Sequence, residues 1–285
     1  MNSYLAYTLV KAFVTAVAIL VVAALLFPVV YVVLTSFSVV SVPVTSFEDL
    51  SRGLTLERYI KAVTDPEFYS ALRNSVIVAA LNILFSVVLI VPAAYAFSRF
   101  DFRGKDALLS FYLVVSQAGG GFGVAAVIAT YIFLLRLKAL GIPLVSPPLN
   151  IVTLPLIYTA SAVPFQTWLL KNYFDMLPRS LDEAAFIDGA GWRDIVFKVV
   201  FPASRPAAII VALFAFMGAW GEFLMADFMG VQTLAAYVYR TATGQTLFWA
   251  DFAARTILFS IPIVALYGVA QRYIGEAMRA GARVA

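Results

Sequence analysis

Six stretches of the chain carry no charged side chain. Asp, Glu, Lys and Arg are all missing from residues 12–47, 74–98, 107–135, 139–170, 206–221 and 256–271. A helix needs about 20 mostly apolar residues to cross the hydrocarbon core of a bilayer, and an ionised side chain at its centre costs roughly 3 kcal/mol. The stretches lack the strict alternation of outer-membrane barrel strands, which favours helices. We therefore predict an all-α polytopic membrane protein with six transmembrane helices, near 12–35, 73–98, 108–134, 150–170, 206–228 and 253–272.

The first apolar stretch is too long for a cleaved signal peptide. Apolar character follows Lys11 and persists from Ala12 to about Leu34, which is on the order of 35 Å of helix. The apolar part of a signal peptide has only about 7–15 residues. We therefore predict an uncleaved membrane anchor.

The positions of Lys and Arg predict the orientation of the spans. If the N-terminus is cytoplasmic, the segments on that side contain twelve of these residues and the segments on the opposite side contain eight. Basic residues are enriched on the cytoplasmic side, so we expect both termini in the cytoplasm and the chain in the plasma (inner) membrane. The predicted order is a cytoplasmic N-terminus 1–11, the first span 12–35, an extracytoplasmic segment 36–72, a five-helix core 73–275 that includes the cytoplasmic loop 171–205, and a cytoplasmic C-terminal tail 276–285.

The composition excludes several classes of function. Of the 285 residues, 62% are hydrophobic and 13% charged, which excludes a water-soluble domain. The net charge of +4 is too small for a protein that binds nucleic acid by neutralising phosphates. The chain has neither cysteine nor histidine, so disulfides, thiolate or imidazole metal sites and histidine-based catalytic triads are excluded. We expect no catalytic residue and no metal site.

The cytoplasmic loop contains a segment with clear helix signals, PRSLDEAAFIDGAGWRDIVFKVVFP at residues 178–202. Ser180 and Glu183 have the spacing of a capping box, which predicts a helix from about Leu181. Gly189 is expected to end that helix in a left-handed conformation, and a second helix should run from about Trp192 to the proline that closes the segment. The pair either docks into a cleft of a partner protein or lies on the membrane surface as an amphipathic cap.

The same residues resemble a known motif. Glu183-Ala184-Ala185, three residues, Gly189, nine residues and then Val199-x-Phe201-Pro202 is similar to the EAA loop, EAA-x3-G-x9-I-x-L-P, of permease subunits in binding-protein-dependent ABC importers. Further stretches resemble the carbohydrate type of these permeases, most of all the smaller permease subunit of maltose and maltodextrin importers: 54–59, 74–79, 94–100 and 249–254.

The resemblance implies a type I ABC importer permease fold, with a cytoplasmic coupling helix in the EAA loop between the fourth and fifth spans. It implies that coupling to the ATPase involves Ser180, Glu183, Ala184, Ala185, Phe186, Asp188, Gly189, Val199 and Pro202. The implied partners are a second permease subunit in a heterodimer, two ABC ATPase subunits, an extracytoplasmic sugar-binding protein and membrane lipid. The sequence has no G-x-x-x-x-G-K-[ST] motif, so we expect the partner ATPase to bind ATP and Mg²⁺ and this chain to bind no cofactor.

The function that the resemblance implies is sugar import, with maltose, maltodextrin or a trehalose-like oligosaccharide as cargo. The chain would form half of the translocation pathway. The alternatives are an ABC permease for another sugar, an amino acid or a peptide, or an ion-coupled secondary carrier. A secondary carrier typically has ionisable groups near the membrane midplane and internal inverted repeats, and neither is visible in the sequence.

Glu222 is the acid that lies well inside a predicted span, and such a carboxylate usually marks a functional position. It could bind sugar hydroxyls, hold an outer gate or pair with a neighbouring subunit, or it could reach the outer surface as an interfacial residue. Gly119 and Gly123 indicate either close helix packing or a break in the third helix. Neutral polar and aromatic residues of the kind found in sugar sites complete the candidate pathway: Asn82, Ser86, Gln117, Tyr158, Ser161, Gln166 and Trp220.

Overall fold

The computed structural model describes residues 2–40, 46, 49, 52–243 and 248–282, and within them the side chains of 7–114 and 123–271. In this part of the chain the regular secondary structure is helical, apart from an antiparallel bridge between Ser38 and Leu54. The helices are α1 Asn2–Phe37, α2 Glu57–Thr64, α3 Pro66–Arg99, α4 Lys105–Ala139, α5 Asn150–Asp175, α6 Ser180–Ile187, α7 Trp192–Asp194, a π-helix Ile195–Val200, α8 Phe201–Ala203, α9 Arg205–Gly221, α10 Leu224–Phe228, α11 Leu234–Thr243 and α12 Trp249–Ala282.

Within the described residues, three helical stretches are long and apolar enough to cross a membrane alone: Tyr7–Phe37, Pro66–Arg99 and Trp249–Gln271. A fourth candidate is the pair Trp192–Ala203 and Arg205–Gly221, which is bent by 91°. The spans predicted at 108–134 and 150–170 lie within α4 and α5, which have 35 and 26 residues. The count of six spans stays a prediction.

The fifth predicted span, 206–228, is not one continuous helix. Helix α9 ends at Gly221, Glu222 has an extended backbone (φ −80°, ψ 130°), and the short helix α10 follows. Apolar composition alone predicts a single span here. The chain instead breaks where the Glu222 carboxylate accepts the backbone N–H of Met225 at 2.8 Å, because a side-chain acceptor can replace the missing helical carbonyl.

Helix α4 is also interrupted. Gly123 has φ 47° and ψ −123°, a conformation outside the helical region, and the helix is kinked at this point. A residue with a side chain rarely adopts that positive φ, so the backbone conformation requires glycine here. Steric room does not require it, because a Cβ at this position would meet no atom within 4 Å. The break predicted in this helix is confirmed at Gly123, and the close packing predicted for Gly119 lies outside the described side chains.

The chain divides into two compact units. In the first unit, the Arg58 side chain connects three stretches of the chain. Its Nη1 lies 2.6 Å from Asp251 Oδ1, while its Nε and Nη2 donate to the backbone oxygens of Ser38 and Val39, each at 3.1 Å. One guanidinium therefore joins α2, the residues after α1 and the start of α12. This unit comprises Met1–Phe68 and Val238–Ser260.

The second unit comprises Tyr69–Tyr237 and Ile261–Ala285, and it contains a hydrophobic core. Apolar side chains of α3, α5, the π-helix and α9 pack together in this core, and they belong to Ile90, Val91, Ala94, Tyr95, Leu170, Phe174, Ile195, Val196, Val200, Ala207 and Val211. The π-helix is thus part of the core even though it lies in the connection between α5 and α9. The connection is built into the helical bundle.

Helix α1 has the opposite character. Its most apolar 18-residue stretch has a mean hydropathy of 3.0, and none of that stretch is buried within the chain. Phe13 and Leu25, for example, are 70% exposed. Such a surface is stable in hydrocarbon or against another apolar surface, and not in water.

Candidate functional site

The connection between α5 and α9, residues 176–203, is called the connecting segment below, and it presents α6 at its surface. Helix α6 ends at a left-handed glycine, since Gly189 has φ 81°. The Gly189 N–H donates to Phe186 O and the Ala190 N–H donates to Ala185 O, both at 3.0 Å. These two bonds form a Schellman motif. The left-handed Gly189 predicted at the end of this helix is confirmed.

The predicted capping box is wrong. Helix α6 begins at Ser180 itself, Arg179 is the N-cap with helical backbone angles, and no side chain caps this end. The Glu183 N–H donates to the Arg179 carbonyl at 3.1 Å and not to the Ser180 hydroxyl. The turn starts one residue earlier than predicted, so a backbone carbonyl takes the bond that the hydroxyl would have accepted.

One face of α6 is bare. Phe186 is 60% and Ile187 84% exposed, although apolar side chains of this size are usually covered. The other exposed residues of the predicted coupling set are Ser180, Glu183, Ala184, Asp188 and Gly189. A shallow hollow of about 510 Å³ lies beside this face, lined by Asp182, Glu183, Phe186, Ile187, Trp192 and Ile195.

Two other side chains of α6, Ala185 and Asp182, fix the helix to the bundle. Ala185 is half-buried and packs against the hydrophobic core. Asp182 accepts a hydrogen bond from the Tyr95 hydroxyl at 2.8 Å, and its Oδ2 lies 3.0 Å from Arg99 Nε. That Nε–H is not aimed at the oxygen, so the contact is an ion pair without an aligned hydrogen bond. Arg99 also donates to the backbone oxygen of Leu177 at 3.2 Å.

An aromatic cluster covers the same junction. The Trp192 ring lies 5.3 Å from the ring of Phe100, 5.9 Å from Phe186 and 6.4 Å from Tyr95, measured between centroids. Aromatic rings at these separations attract one another beyond the area that they bury. The cluster links the bare face of α6 to the end of α3.

Two residues of the predicted coupling set lie farther along the connecting segment. Val199 is half-buried in the π-helix, and Pro202 is half-buried in α8. They lie where the segment turns into α9, and α8 and α9 meet at Ser204, which is buried. The predicted coupling residues are therefore mostly exposed in α6, whereas Val199 and Pro202 are half-buried near α8.

A second group of predicted residues meets inside the bundle. The Tyr158 hydroxyl donates to Glu222 Oε2, and the same carboxylate accepts the N–H of Met225 at 2.8 Å and of Ala226 at 3.4 Å. Tyr158 is only 8% exposed. Glu222 therefore caps α10 and holds α5, and it is half-buried.

Asn82 lies in the same layer of the bundle. It is buried, its side-chain N–H donates to Ala215 O at 2.7 Å, and its Oδ1 accepts the Thr159 hydroxyl at 2.8 Å. Because Thr159 follows Tyr158 in the sequence, one turn of α5 binds both α3 and the break after α9. We call Asn82, Tyr158, Thr159 and Glu222 the polar layer.

The remaining pathway candidates do not join the polar layer. Ser161 is exposed and its hydroxyl donates to the Tyr158 carbonyl at 2.8 Å. Gln166 lies eight residues further along α5, about 12 Å away, and its Oε1 is buried without a hydrogen-bond partner in the described part of the chain. Trp220 is buried and stacks on Phe216, with 5.0 Å between ring centroids.

Two candidates need separate mention. The Ser86 hydroxyl is buried and has no hydrogen-bond partner among the described residues. The Gln117 side chain lies outside the described side chains. Among the described residues, no three acidic side chains gather in a group that could hold a metal ion.

Three further residues that hold these sites together were not predicted from the sequence. Tyr95 and Arg99 appeared only as part of a matching stretch, and Thr159 was not considered. One signal was available for the first two residues, since a spacing of four places them on the same face of a helix. For Thr159 the sequence offers no such signal, because its partner lies 77 residues away in the chain.

Comparison with known proteins gives a consistent result. The family model described as "Binding-protein-dependent transport system inner membrane component" matches residues 68–280. The trehalose/maltose transport system permease protein MalG of Thermococcus litoralis is 31% identical over 285 residues, which cover 93% of this chain and 94% of that protein. The maltodextrin transport system permease protein MdxG of Bacillus subtilis is 29% identical over 244 residues, 82% of each chain.

The fold also has a counterpart among solved structures. A chain in the crystal structure of a bacterial ABC transporter involved in the import of the acidic polysaccharide alginate superposes with a TM-score of 0.67. The alignment covers 93% of this chain and 96% of that chain, at 20% sequence identity. At this identity the likeness concerns the fold alone.

Proposed function

Because the chain belongs to the family of binding-protein-dependent transport system inner membrane components, we propose that it is a transmembrane permease subunit of an ATP-driven ABC sugar importer. It is a multi-pass membrane protein, and its role is to form half of a translocation pathway. The proposed cargo is an oligosaccharide of the maltose, maltodextrin or trehalose type. Both relatives align with most of the chain. Their names therefore support this choice of cargo.

One observation carries the coupling part of the proposal. Helix α6 exposes Phe186 and Ile187, while its Asp182 is held by Tyr95 and Arg99. A bare apolar face on a firmly held helix is suited to a protein partner, because burying it would gain free energy without reordering the helix. We assign that face to an ABC ATPase subunit.

The energy for transport then comes from the partner. Two ATPase subunits bind ATP and Mg²⁺, and their closure moves the connecting segments of the two permeases. The π-helix and α8 lie between α6 and α9 in the chain, and the π-helix is packed in the core with α3 and α5. Movement of α6 therefore reaches the bundle through packed side chains, as in other switching proteins with rigid elements.

The remaining partners follow from the exposed surface and the topology. The bare apolar surface of α1 supports contact with membrane lipid and with a second permease subunit. The excess of basic residues in the predicted cytoplasmic segments supports an orientation with both termini inside the cell. An extracytoplasmic sugar-binding protein would deliver the cargo on the opposite side.

In the proposed pathway, the hydrogen bonds of the polar layer hold the helices of the bundle together. Tyr158, Asn82 and Thr159 are buried and bound to protein groups. Their hydrogen-bonding groups are occupied in this state, so sugar would bind them only after the bundle opens. We therefore place the layer at a gate and not in a preformed sugar site.

Reconstitution in liposomes tests the function. The chain is assembled with its partner permease, two ATPase subunits and a sugar-binding protein, and uptake of radiolabelled maltose, maltodextrin and trehalose is measured. We expect uptake to require Mg·ATP on the ATPase side and the binding protein on the other side.

The control is the same liposome without the ATPase subunits. Sugar flux through the chain alone, or flux driven by an ion gradient, would contradict the proposed function. Uptake of an amino acid or a peptide, and not of sugars, would keep the importer class and overturn the cargo.

A further inference from the structure

The connecting segment is joined to the end of α3 by a largely buried ion pair between Arg99 and Asp182. The side chains of Arg99 and Asp182 are only 7% and 14% exposed. Charged side chains are rarely buried to this extent unless they are paired. The pair joins two elements that lie far apart in the sequence, the last turn of α3 and the first turn of α6.

Arg99 contacts the connecting segment at two places. Its Nε lies near Asp182 on α6, and its Nη2 donates to the backbone oxygen of Leu177, ahead of that helix. Tyr95, one helical turn before Arg99, binds the other carboxylate oxygen of Asp182. Contacts at both points resist rotation and sliding of α6 relative to α3.

A neighbouring ion pair shows the contrast. Lys198 and Asp194 lie 2.7 Å apart within the connecting segment, but they are four residues apart in the sequence and their side chains are 75% and 47% exposed. Such a pair stabilises one local stretch slightly. It cannot join the segment to another helix, so it provides a matched control.

On the basis of the function proposed above, the geometry points to Tyr95 and Arg99 as positioning residues that act through Asp182. They lock α6 to the cytoplasmic end of α3, so that both move as one body when the ATPase subunits close. Without the lock, α6 still docks on the ATPase, but its movement is absorbed in the connecting segment before it reaches α3. ATP is then hydrolysed without a matching amount of sugar import.

The test uses the complete importer in liposomes and measures sugar uptake and ATP hydrolysis in the same sample. Asp182→Asn removes the charge while it keeps the shape, and we expect sugar imported per ATP hydrolysed to fall about fivefold. Tyr95→Phe removes one hydroxyl, and we expect about a twofold fall. The double variant Arg99→Asp with Asp182→Arg restores the ion pair with exchanged charges but not the hydrogen bonds of Tyr95 and of the Leu177 carbonyl, so it should recover part of the ratio that Arg99→Asp alone loses.

Asp194→Asn is the matched control, and it should leave the ratio unchanged. The positioning role is overturned if Asp182→Asn and Tyr95→Phe assemble normally and keep the wild-type ratio, or if the exchanged pair gives no recovery. A wild-type complex that imports sugar without ATPase subunits would overturn the proposed function instead. The two failures are therefore distinguishable.

A second measurement follows the movement directly. The chain has no cysteine, so Asp101→Cys and Leu181→Cys place one spin label after α3 and one on α6, where Leu181 is exposed. We expect the distance distribution between the labels to be the same in the resting complex and in the complex trapped with ATP and vanadate. With Asp182→Asn added, the distribution should broaden or shift on trapping. A distance that already changes in the unsubstituted pair would contradict movement as one body.

Discussion

The connecting segment and the polar layer use polar groups in opposite ways. In the connecting segment, the Asp182 side chain is 14% exposed and paired, while Ile187, on the same short helix, is 84% exposed. In the polar layer, Asn82 and Tyr158 are buried and their hydrogen bonds are made to other parts of the chain. The first arrangement leaves a surface for another molecule, and the second leaves none.

This difference separates two tasks within one bundle. A surface that receives force has to be exposed, and the helix that carries it has to be fixed by contacts to the rest of the chain. A gate has to be closed by contacts that can be exchanged for others when the bundle opens. Stability should therefore depend strongly on the polar layer and weakly on the bare face of α6.

The largest expected effect is that of Glu222→Ala. The change leaves the Tyr158 hydroxyl and the N–H groups of Met225 and Ala226 without their acceptor, so we expect unfolding free energy to fall by about 3 kcal/mol. Thermal unfolding of the purified chain in lipid nanodiscs measures this. Glu222→Gln, which keeps an oxygen acceptor, should lose about 1 kcal/mol. Equal losses in both variants would show that charge, and not capping, is what matters at this position.

The second largest effect on the unfolding free energy is expected for Asn82→Ala. This change removes the hydrogen bonds that join α3 to Thr159 and Ala215. We expect a loss of about 2 kcal/mol, from two hydrogen bonds and a small void. Combined with Thr159→Val in a double-mutant cycle, the interaction energy should be about 1 kcal/mol, within the range for polar pairs inside membranes. Additive losses in the cycle would mean that the Asn82 and Thr159 side chains do not interact in the membrane.

Gly189→Ala should have a smaller effect on stability. A Cβ at Gly189 would meet no atom within 4 Å, so the cost comes only from the left-handed backbone and should be about 1 kcal/mol. Gly191→Ala is the control, since Gly191 has φ −75° and also has open space around its Cα. Thermal unfolding should separate the two variants, and identical midpoints would argue against the left-handed C-cap.

The smallest effect on stability is expected for Ile187→Ser. The side chain is 84% exposed, so the unfolding free energy should change by less than about 0.5 kcal/mol. Sugar uptake by the assembled importer should nevertheless fall, because the variant weakens docking of the ATPase. Leu140→Ser, at a residue that is 78% exposed outside the connecting segment, should change neither quantity. Normal uptake by Ile187→Ser would remove the bare face from the ATPase contact.

Much of the fold could be predicted from the sequence, because a missing charge is a local signal. Four of the charge-free stretches lie within helices α3, α4, α9 and α12, and the other two, 12–47 and 139–170, cover most of α1 and α5 together with residues outside them. The break at Glu222 could not be predicted in this way. It accompanies a hydrogen bond from the Met225 N–H to the Glu222 carboxylate, and hydropathy contains no information about such a contact.

The candidate sites show the same limit. The left-handed Gly189 was predictable because a helix end is encoded within a few residues. The position of Ser180 was predicted wrongly, since the preceding backbone could supply the acceptor equally well. The contact of Asp182 with Tyr95 joins residues 87 apart, so only the packing of α3 against the connecting segment brings them together.

The bare surface of α1 has a consequence for biogenesis. A helix with a mean hydropathy of 3.0 and no buried face in this stretch does not depend on the rest of the chain to remain in the bilayer. Its insertion can be complete while later helices are still being synthesised. Assembly of the bundle can then begin from a nascent chain that is already anchored beside the translocon.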